Sequence, residues 1–506
     1  MTSWWSAEPA GSAPQPSSRT EDLRRRLVED RILLDWGSPG VLRKLRSDAS
    51  RIAREMDRGG KAPPMMWSGI PFPRRPKELT GSDYWLVVSI GGTKTEYGLL
   101  RLEQGQLRLL DPAGREQSGE NVAAVRKASM RFDTPTHDNT ANGLEMIERI
   151  VEPIAAYLRS NQGRLSGRVG CVLSWGFANR VVRTAERVIG GVAAITTLMT
   201  KDQERFTPDL KDRDLGLLFK AAVERRTGLE LTVTVANDGV MALHRFLTPE
   251  NLAAHAAFGL FINGTGTNFA AAERYSVRSQ GVASRAGEVY EPRRLSRADR
   301  PAPGEREELF FVNYETGSIP LGWTKTRYDV PAAYPIEHNA LSGGNAFEQQ
   351  LREIVKAHFA PGLYEKLVES RRAVEPRAPE PRGPEVKRLA TEGPPAAREV
   401  FPGLVLDDLT VERLCFAARA VIARSALHAA LILAGVTEHS GFGRGSAAKP
   451  DLLAMEGSVW STPGYPELVR RAWEAMAGGN LHVTFTSEAS YNASLPGPLY
   501  FAVIHQ

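Results

Sequence analysis

Three short stretches of this chain hold residue types that can act on phosphate and on a polar substrate. The first is SIGGTKTEYG, Ser89 to Gly98, where Gly91, Gly92, Thr93 and Lys94 sit between two apolar runs. Bare glycine backbone can approach phosphate oxygens closely, and Thr93 adds a hydroxyl donor. The second is FGLFINGTGTNFAAAE, where Gly264, Thr265 and Gly266 again join two apolar runs and Asn268 follows. Between them, VTVANDGVMAL ends an apolar run at Asn237 and Asp238. A carboxylate at the carboxyl end of a strand faces the crevice where open α/β sheets bind ligands. Each signal is weak alone. Glycines between strands are ordinarily turns, and Asn-Asp-Gly is a common turn as well. Neither hairpin is a Walker loop or a GxGxxG fingerprint.

Such residues need strands to hold them. Apolar runs predict strands over 84–90 and 95–102, with others at 168–176, 231–238, 258–264, 267–273, 482–486 and 498–504. Helical stretches lie between them, notably 212–226 and the alanine-rich 407–435. Strands alternating with helices, with glycine hairpins among them, indicate an α/β fold. At 506 residues the chain exceeds one hydrophobic core and should divide into two lobes. Residues 20–57 show helical spacing broken at Gly37, Ser38 and Pro39. The Pro-, Ser- and Ala-rich residues 1–20 predict a disordered tail. Segments 276–308 and 371–402, rich in Arg and Pro, predict flexible insertions.

Composition narrows the function classes. A hydrophobic fraction of 42% and a charged fraction of 24% are those of a soluble globular protein. No uninterrupted apolar run approaches the ~20 residues of a bilayer span, and the N-terminus lacks the apolar core of a signal peptide. Cys171 and Cys415 lie far apart in apolar stretches and read as buried hydrophobes of a reducing compartment, so a cytoplasmic location is expected. No CxxC or HxxxH spacing suggests a metal cage. The net charge of +5 is modest and no aromatic-basic stripe accompanies it, so neither nucleic acid nor membrane is an expected partner.

Taken in order, the pieces resemble the eukaryotic-type hexokinase family of the actin-like ATPase superfamily. They are the strand-Gly-Gly-Thr-strand hairpin, Ser-Trp-Gly at 174–176, Thr200 with Lys201, Asn237-Asp238-Gly239, Gly-Thr-Gly followed by Asn268, Glu315 in FVNYETGS, and a late Glu-Gly-Ser at 456–458. The resemblance implies a two-lobed actin-like ATPase fold, a duplicated ribonuclease H-like unit around a central cleft. A helical segment at 21–65 would pack on the large lobe. The small lobe would run over 66–235 and be rejoined by 489–506, with the large lobe over 236–488. The resemblance also implies ATP and Mg²⁺ as cofactors and a hexose, glucose foremost, as substrate. Asp238 would take the proton from the sugar 6-hydroxyl, general-base help typically worth ~10²–10⁴ in rate. Lys201 would offset charge near the transferred group. Ser174, Thr200, Lys201, Asn237, Asp238, Asn268 and Glu315 would hold the sugar, and the place of a last sugar-binding glutamate falls on His338 or its neighbour Glu337. Gly91, Gly92, Thr93 and Lys94 would meet phosphate from one lobe, Gly264, Thr265 and Gly266 from the other, with Gly457 and Ser458 beside the adenosine.

The chain departs from the family pattern at the metal. Where the first phosphate motif normally begins with an aspartate that holds hydrated Mg²⁺, this chain has Ser89, and Glu96 stands near where arginine is common. Ser89 and Asp238 would lie near the expected Mg²⁺, with one negative charge fewer in the clamp. Phosphoryl transfer depends on positioning and charge neutralisation. Two functions therefore stand side by side: an ATP:hexose 6-phosphotransferase, and a sugar-binding or regulatory protein on the same scaffold with weak or no kinase activity. A kinase for an amino sugar or fructose is a further alternative.

Overall fold

The apolar runs flanking Gly91 and Gly264 become the central hairpins of two sheets. The computed structural model describes residues 19–58, 66–72, 83–91, 94–103, 106–111, 113–118, 129–135, 142–165, 168–176, 180–183, 192–195, 209–210, 213–264, 267–278, 293–295, 299–314, 316–319, 322–329, 344–376, 379–486 and 495–505. Helices α1 (Glu21–Glu29) and α2 (Pro39–Arg58) lead into strand β1 (Met66–Pro71). The first sheet uses β2 (Trp85–Ile90), β3 (Lys94–Glu103), β4 (Gln106–Leu110), β5 (Glu116–Ser118), β6 (Met130–Asp133), β7 (Arg168–Trp175) and β10 (Glu230–Asn237). Strands β8 (Arg180–Arg183) and β9 (Val192–Ile195) form a separate two-stranded ribbon. The second sheet takes β11 (Phe258–Asn263), β12 (Thr267–Arg278), β13 (Arg293–Arg294), β14 (Glu305–Asn313), β15 (Asp451–Glu456) and β16 (Val483–Thr486), with β1 at its edge.

The two sheets share one plan. The first runs β10-β7-β2-β3-β4-β5, with β10, β7 and β2 parallel and β3 and β4 antiparallel. The second runs β16-β15-β11-β12-β14-β1, with β16, β15 and β11 parallel and β12 and β14 antiparallel. Each is thus a glycine-turned hairpin flanked by two parallel strands.

Side-chain alternation assigns the faces. Leu86, Val88 and Ile90 of β2 pack outward under helices α3 (Gly143–Ser160) and α4 (Leu215–Thr227). Asn142 caps α3 by accepting from Glu145 N, Asp214 caps α4 by accepting from Leu217 N, and Gly228 closes α4 in the left-handed region. Val87 and Val172 face inward, as do Leu260, Ala270, Phe311 and Ala454 of the second sheet. Between the two inner faces lie α5 (Asp238–His244) and the last helix, α13 (Pro496–His505), which share that core.

The outer face of the second sheet carries the largest core. It joins α1 and α2 to α7 (Gly344–His358), α8 (Leu363–Arg372), α9 (Gly383–Thr391), α10 (Pro394–Val400), α11 (Asp408–Ser440) and α12 (Tyr465–Ala477), while the short α6 (Pro249–Ala254) lies ahead of β11. By composition α11 is long and apolar enough to cross a membrane, yet 94% of its apolar window is buried inside the protein. A helix apolar on every side is what a core this size needs at its centre. Buried Arg424 of α11 holds the segment 322–329 by donating to Asp329 Oδ2 at 2.8 Å, Thr324 O at 3.0 Å and Thr326 Oγ1 at 3.2 Å.

Several expectations are corrected. Residues 498–504, expected as a strand, belong to helix α13: an all-apolar run carries no period, and Pro496 suits the first turn of a helix. Residues 371–402 are not a flexible insertion where described. Their prolines open α9 and α10, while Val386, Leu389, Ala390, Ala397, Val400 and Phe401 are buried in the largest core. The segment 276–308 is partly sheet, since β12 runs to Arg278 and β14 starts at Glu305. Strand β1, expected in the small lobe from residue 66, pairs instead with β14 of the second sheet. Residues 1–18 of the expected tail lie outside the described residues.

Candidate active site

The carboxyl ends of the parallel strands set the site. Register places Ser89 opposite Ser174 on one side and Glu96 on the other, and Glu96 opposite Arg131 of β6. This polar row shares the inward face of Val87 and Val172. Glu96 is 5% exposed, accepts from Ser129 Oγ at 2.7 Å and lies 3.7 Å from Arg131. Its carboxylate is therefore tied towards β6. Ser89 and Ser174 are both buried.

Strand β10 delivers the carboxylate. Asn237 ends the strand and Asp238 begins α5, with Gly239 N donating to Asn237 Oδ1 at 2.9 Å and to Asp238 Oδ1 at 2.7 Å. Asp238 Oδ2 lies beside Gly176: a β-carbon there would stand 3.1 Å from that oxygen, 3.1 Å from Gly91 Cα and 2.9 Å from Ile90 O. Gly176 N donates to Ile90 O at 2.8 Å, and Gly91 is held by its own N–H to Lys94 O at 3.0 Å and by Thr134 Oγ1 donating to its carbonyl at 2.8 Å. Gly91, Gly176 and Asp238 thus meet at one point, and a side chain at 176 would force its neighbours to shift.

Asn268 joins this point to the second sheet. Its Nδ2 is 3.5 Å from where a β-carbon on Gly239 would be, and its register partner is Ile262, which pairs with Glu456 on the far side. Two inter-strand spacings therefore separate Asn268 from Glu456, roughly 10 Å. Beyond Glu456, Gly457 has φ of 103° and lies against the other hairpin. A β-carbon on it would fall 2.4 Å from Asn263 O and 2.8 Å from Gly264 N. Val459 N donates to Asn263 O at 3.1 Å, and Trp460 Nε1 to Phe261 O at 2.9 Å, fastening the turn. Asn263, fully buried, donates to Tyr465 Oη at 2.8 Å while its own Oδ1 has no partner among the described residues. Burial pushes the Tyr465 hydroxyl pKa well up, so it stays neutral, and it shares a hydrogen bond of 3.0 Å with Ser425 Oγ.

Of the residues singled out from sequence, Gly91, Ser174, Asn237, Asp238 and Asn268 gather around α5, and Gly264, Gly457 and Ser458 gather at the second hairpin. Lys94 is ion-paired with Asp133 across β3 and β6. Gly92, Thr93, Thr200, Lys201, Thr265, Gly266, Glu315, Glu337 and His338 lie outside the described residues. Sequence reasoning read Gly176 only as part of Ser-Trp-Gly, and it passed over Asn263 and Lys387. A signal existed for Gly176: in each sheet, the parallel strand beside the hairpin runs straight into a glycine, Gly176 or Gly457.

No family model matches the sequence, and no curated protein matches it either. The fold is similar to that of a hexokinase from Schistosoma mansoni complexed with glucose, at 16% identity and a TM-score of 0.64, covering 96% of this chain and all 100% of that one. A second hexokinase crystal structure aligns at 14% identity and a TM-score of 0.63, with the same coverage of 96% and 100%. The chain shares the two-lobed α/β fold of these hexokinases.

Proposed function

We propose that this protein is an ATP-dependent hexokinase acting on the 6-hydroxyl of a hexose, glucose foremost, with Asp238 as general base. The observation that carries this is the meeting of Asp238 Oδ2 with Gly91 and Gly176 at the carboxyl ends of parallel strands. A proton acceptor there stands beside bare backbone suited to a phosphoryl group. Asp238 Oδ1 is fixed by Gly239 N, and Oδ2 lies on the side of Gly176 and Gly91, where the substrate hydroxyl would approach. As the sugar oxygen attacks the γ-phosphorus of ATP, its proton passes to Asp238 and the bond to the β,γ-bridging oxygen breaks, releasing ADP. Asn237 and Asn268 supply amide groups beside the base, and a site built on such groups rejects sugars lacking the matching hydroxyl.

The nucleotide's phosphates would lie between Gly91 and the Gly264–Gly457 contact. Mg²⁺ arriving with ATP needs only one or two carboxylates besides phosphate oxygens, and Asp238 would be one of them. Ser89 would contribute a hydroxyl where a charge is usual. A cytoplasmic location is part of the proposal, supported by Cys171 and Cys415 being free and buried.

The sugar-binding alternative keeps a specific support, the neutral Ser89 with Glu96 next to it in register. The two separate in one experiment: ADP release with glucose, fructose, mannose or glucosamine, beside glucose binding by calorimetry, for wild type and Asp238→Asn. A kinase loses roughly 10²–10⁴ in kcat while still binding sugar. Sugar binding without Asp238-dependent ADP from any of the four overturns the kinase in favour of the alternative.

A further inference from the structure

Helix α9 brings one lysine to the edge of the second hairpin. Lys387 Nζ donates to the carbonyl of Ser458, an oxygen that also accepts from Ser461 Oγ at 2.7 Å. Ser458 follows Gly457, whose backbone lies against Asn263 and Gly264. The ammonium is half-buried, and desolvation alone pushes its pKa down to about 8, with no charged neighbour contributing. An ammonium carries three donors and no acceptor, and a single carbonyl uses one. Lysine is seldom withdrawn from water without an anion to answer it. Arg371 and Arg388 follow that habit, facing Glu385 and the pair Glu392 and Glu399, whereas Arg419 donates to the Ala390 carbonyl of α9. Lys387 differs from them in facing the turn at Gly457.

We infer that Lys387 binds the diphosphate of the nucleotide from the second-sheet side, holding the ADP portion of ATP in place during transfer. The inference rests on the kinase assignment. A lysine acts there as a point charge toward phosphate oxygens, complementing backbone donors of the glycine hairpin. The competing role is structural, a lysine that merely ties α9 to the turn; it would affect every nucleoside alike.

The test measures binding of MgADP and of adenosine to the whole protein with saturating glucose, for wild type, Lys387→Met and Lys387→Arg. Loss of a charge-assisted bond should weaken MgADP roughly 10- to 100-fold in Lys387→Met. Adenosine should change less than about 3-fold, and Lys387→Arg should keep most of the MgADP affinity. Glucose binding by each variant reports that it is folded. If Lys387→Met binds MgADP as wild type does, or loses MgADP and adenosine equally, the inference is overturned while the kinase assignment stands. If wild type binds no MgADP although it binds glucose, both fall. Should Lys387→Met not bind glucose, Lys387→Gln takes its place under the same criteria.

Discussion

The two sheets hold the same backbone device and dress it differently. In each, the parallel strand next to the hairpin ends in a glycine pressed against the hairpin turn: Gly176 against Gly91, and Gly457 against Gly264. In each, the strand also turns there under a hydrogen bond to the carbonyl just before that turn, Gly176 N to Ile90 O and Val459 N to Asn263 O. The inward side chains diverge. Ser89 lies between Glu96 and Ser174 in the first sheet, whereas Ile262 lies between Asn268 and Glu456 in the second. What the duplication keeps is close backbone approach, which any phosphate group can use. What it varies is polarity, and β10 of the first sheet runs directly into Asp238, the proposed base.

The comparison can be broken at the glycines first. Gly457→Ala adds a β-carbon 2.4 Å from Asn263 O in a backbone conformation that disfavours any side chain. It should cost about 3 kcal/mol or more of stability, read by urea denaturation. Gly176→Ala has no such φ penalty, but its β-carbon would reach Asp238 Oδ2 at 3.1 Å. We expect kcat to fall about 100-fold with glucose affinity nearly unchanged, because displacing a base by a fraction of an ångström costs rate before it costs binding. Equal, small effects of the two alanines would mean that the glycine pairs are only turns.

Polarity is tested next. Ser89→Asp restores a charge suited to Mg²⁺ but sets it directly opposite Glu96. We expect stability to drop by about 1–2 kcal/mol, since like charges face each other across paired strands in a buried row. Adding Glu96→Gln should recover about half of that. In the double variant, MgADP affinity should depend more steeply on Mg²⁺ concentration than in wild type; an unchanged Mg²⁺ titration would place the metal away from residue 89. The smallest change is expected from Tyr465→Phe. Removing its hydroxyl leaves the buried Asn263 amide without its acceptor, a loss of about 1 kcal/mol visible in thermal melts.

The hairpins, Asp238 and the long buried helix α11 were legible because each carries a local signature: glycine between apolar runs, a polar pair ending a strand, or alanine-rich helical spacing. Helix α13 was not. PLYFAVI is apolar at every position, with Leu499, Phe501, Ala502 and Ile504 buried between the two inner faces, and such a run fits a strand equally well. Helices α9 and α10 were hidden for the opposite reason. Proline and arginine dominate the composition of 371–402, while the few residues that fix the structure, such as Val386, Leu389 and Phe401, count for little in an average. Lys387 was invisible with them, since its distinction lies in a contact with Ser458 far along the chain.

Helix α13 also sets a condition on how the protein comes into being. Leu499 and Phe501 fill the space between Val87, Leu100 and Val172 of the first sheet and Phe258, Leu260 and Phe311 of the second, and the strands they touch were made hundreds of residues earlier. During synthesis both inner faces must therefore wait, covered in part by α5 alone, until residues 496–505 have cleared the ribosome. Contacts so distant along the chain close slowly, and the exposed intermediate is prone to aggregate. A chain cut short just before Pro496 would retain every described strand and the proposed base, yet emerge as a sticky, chaperone-bound species.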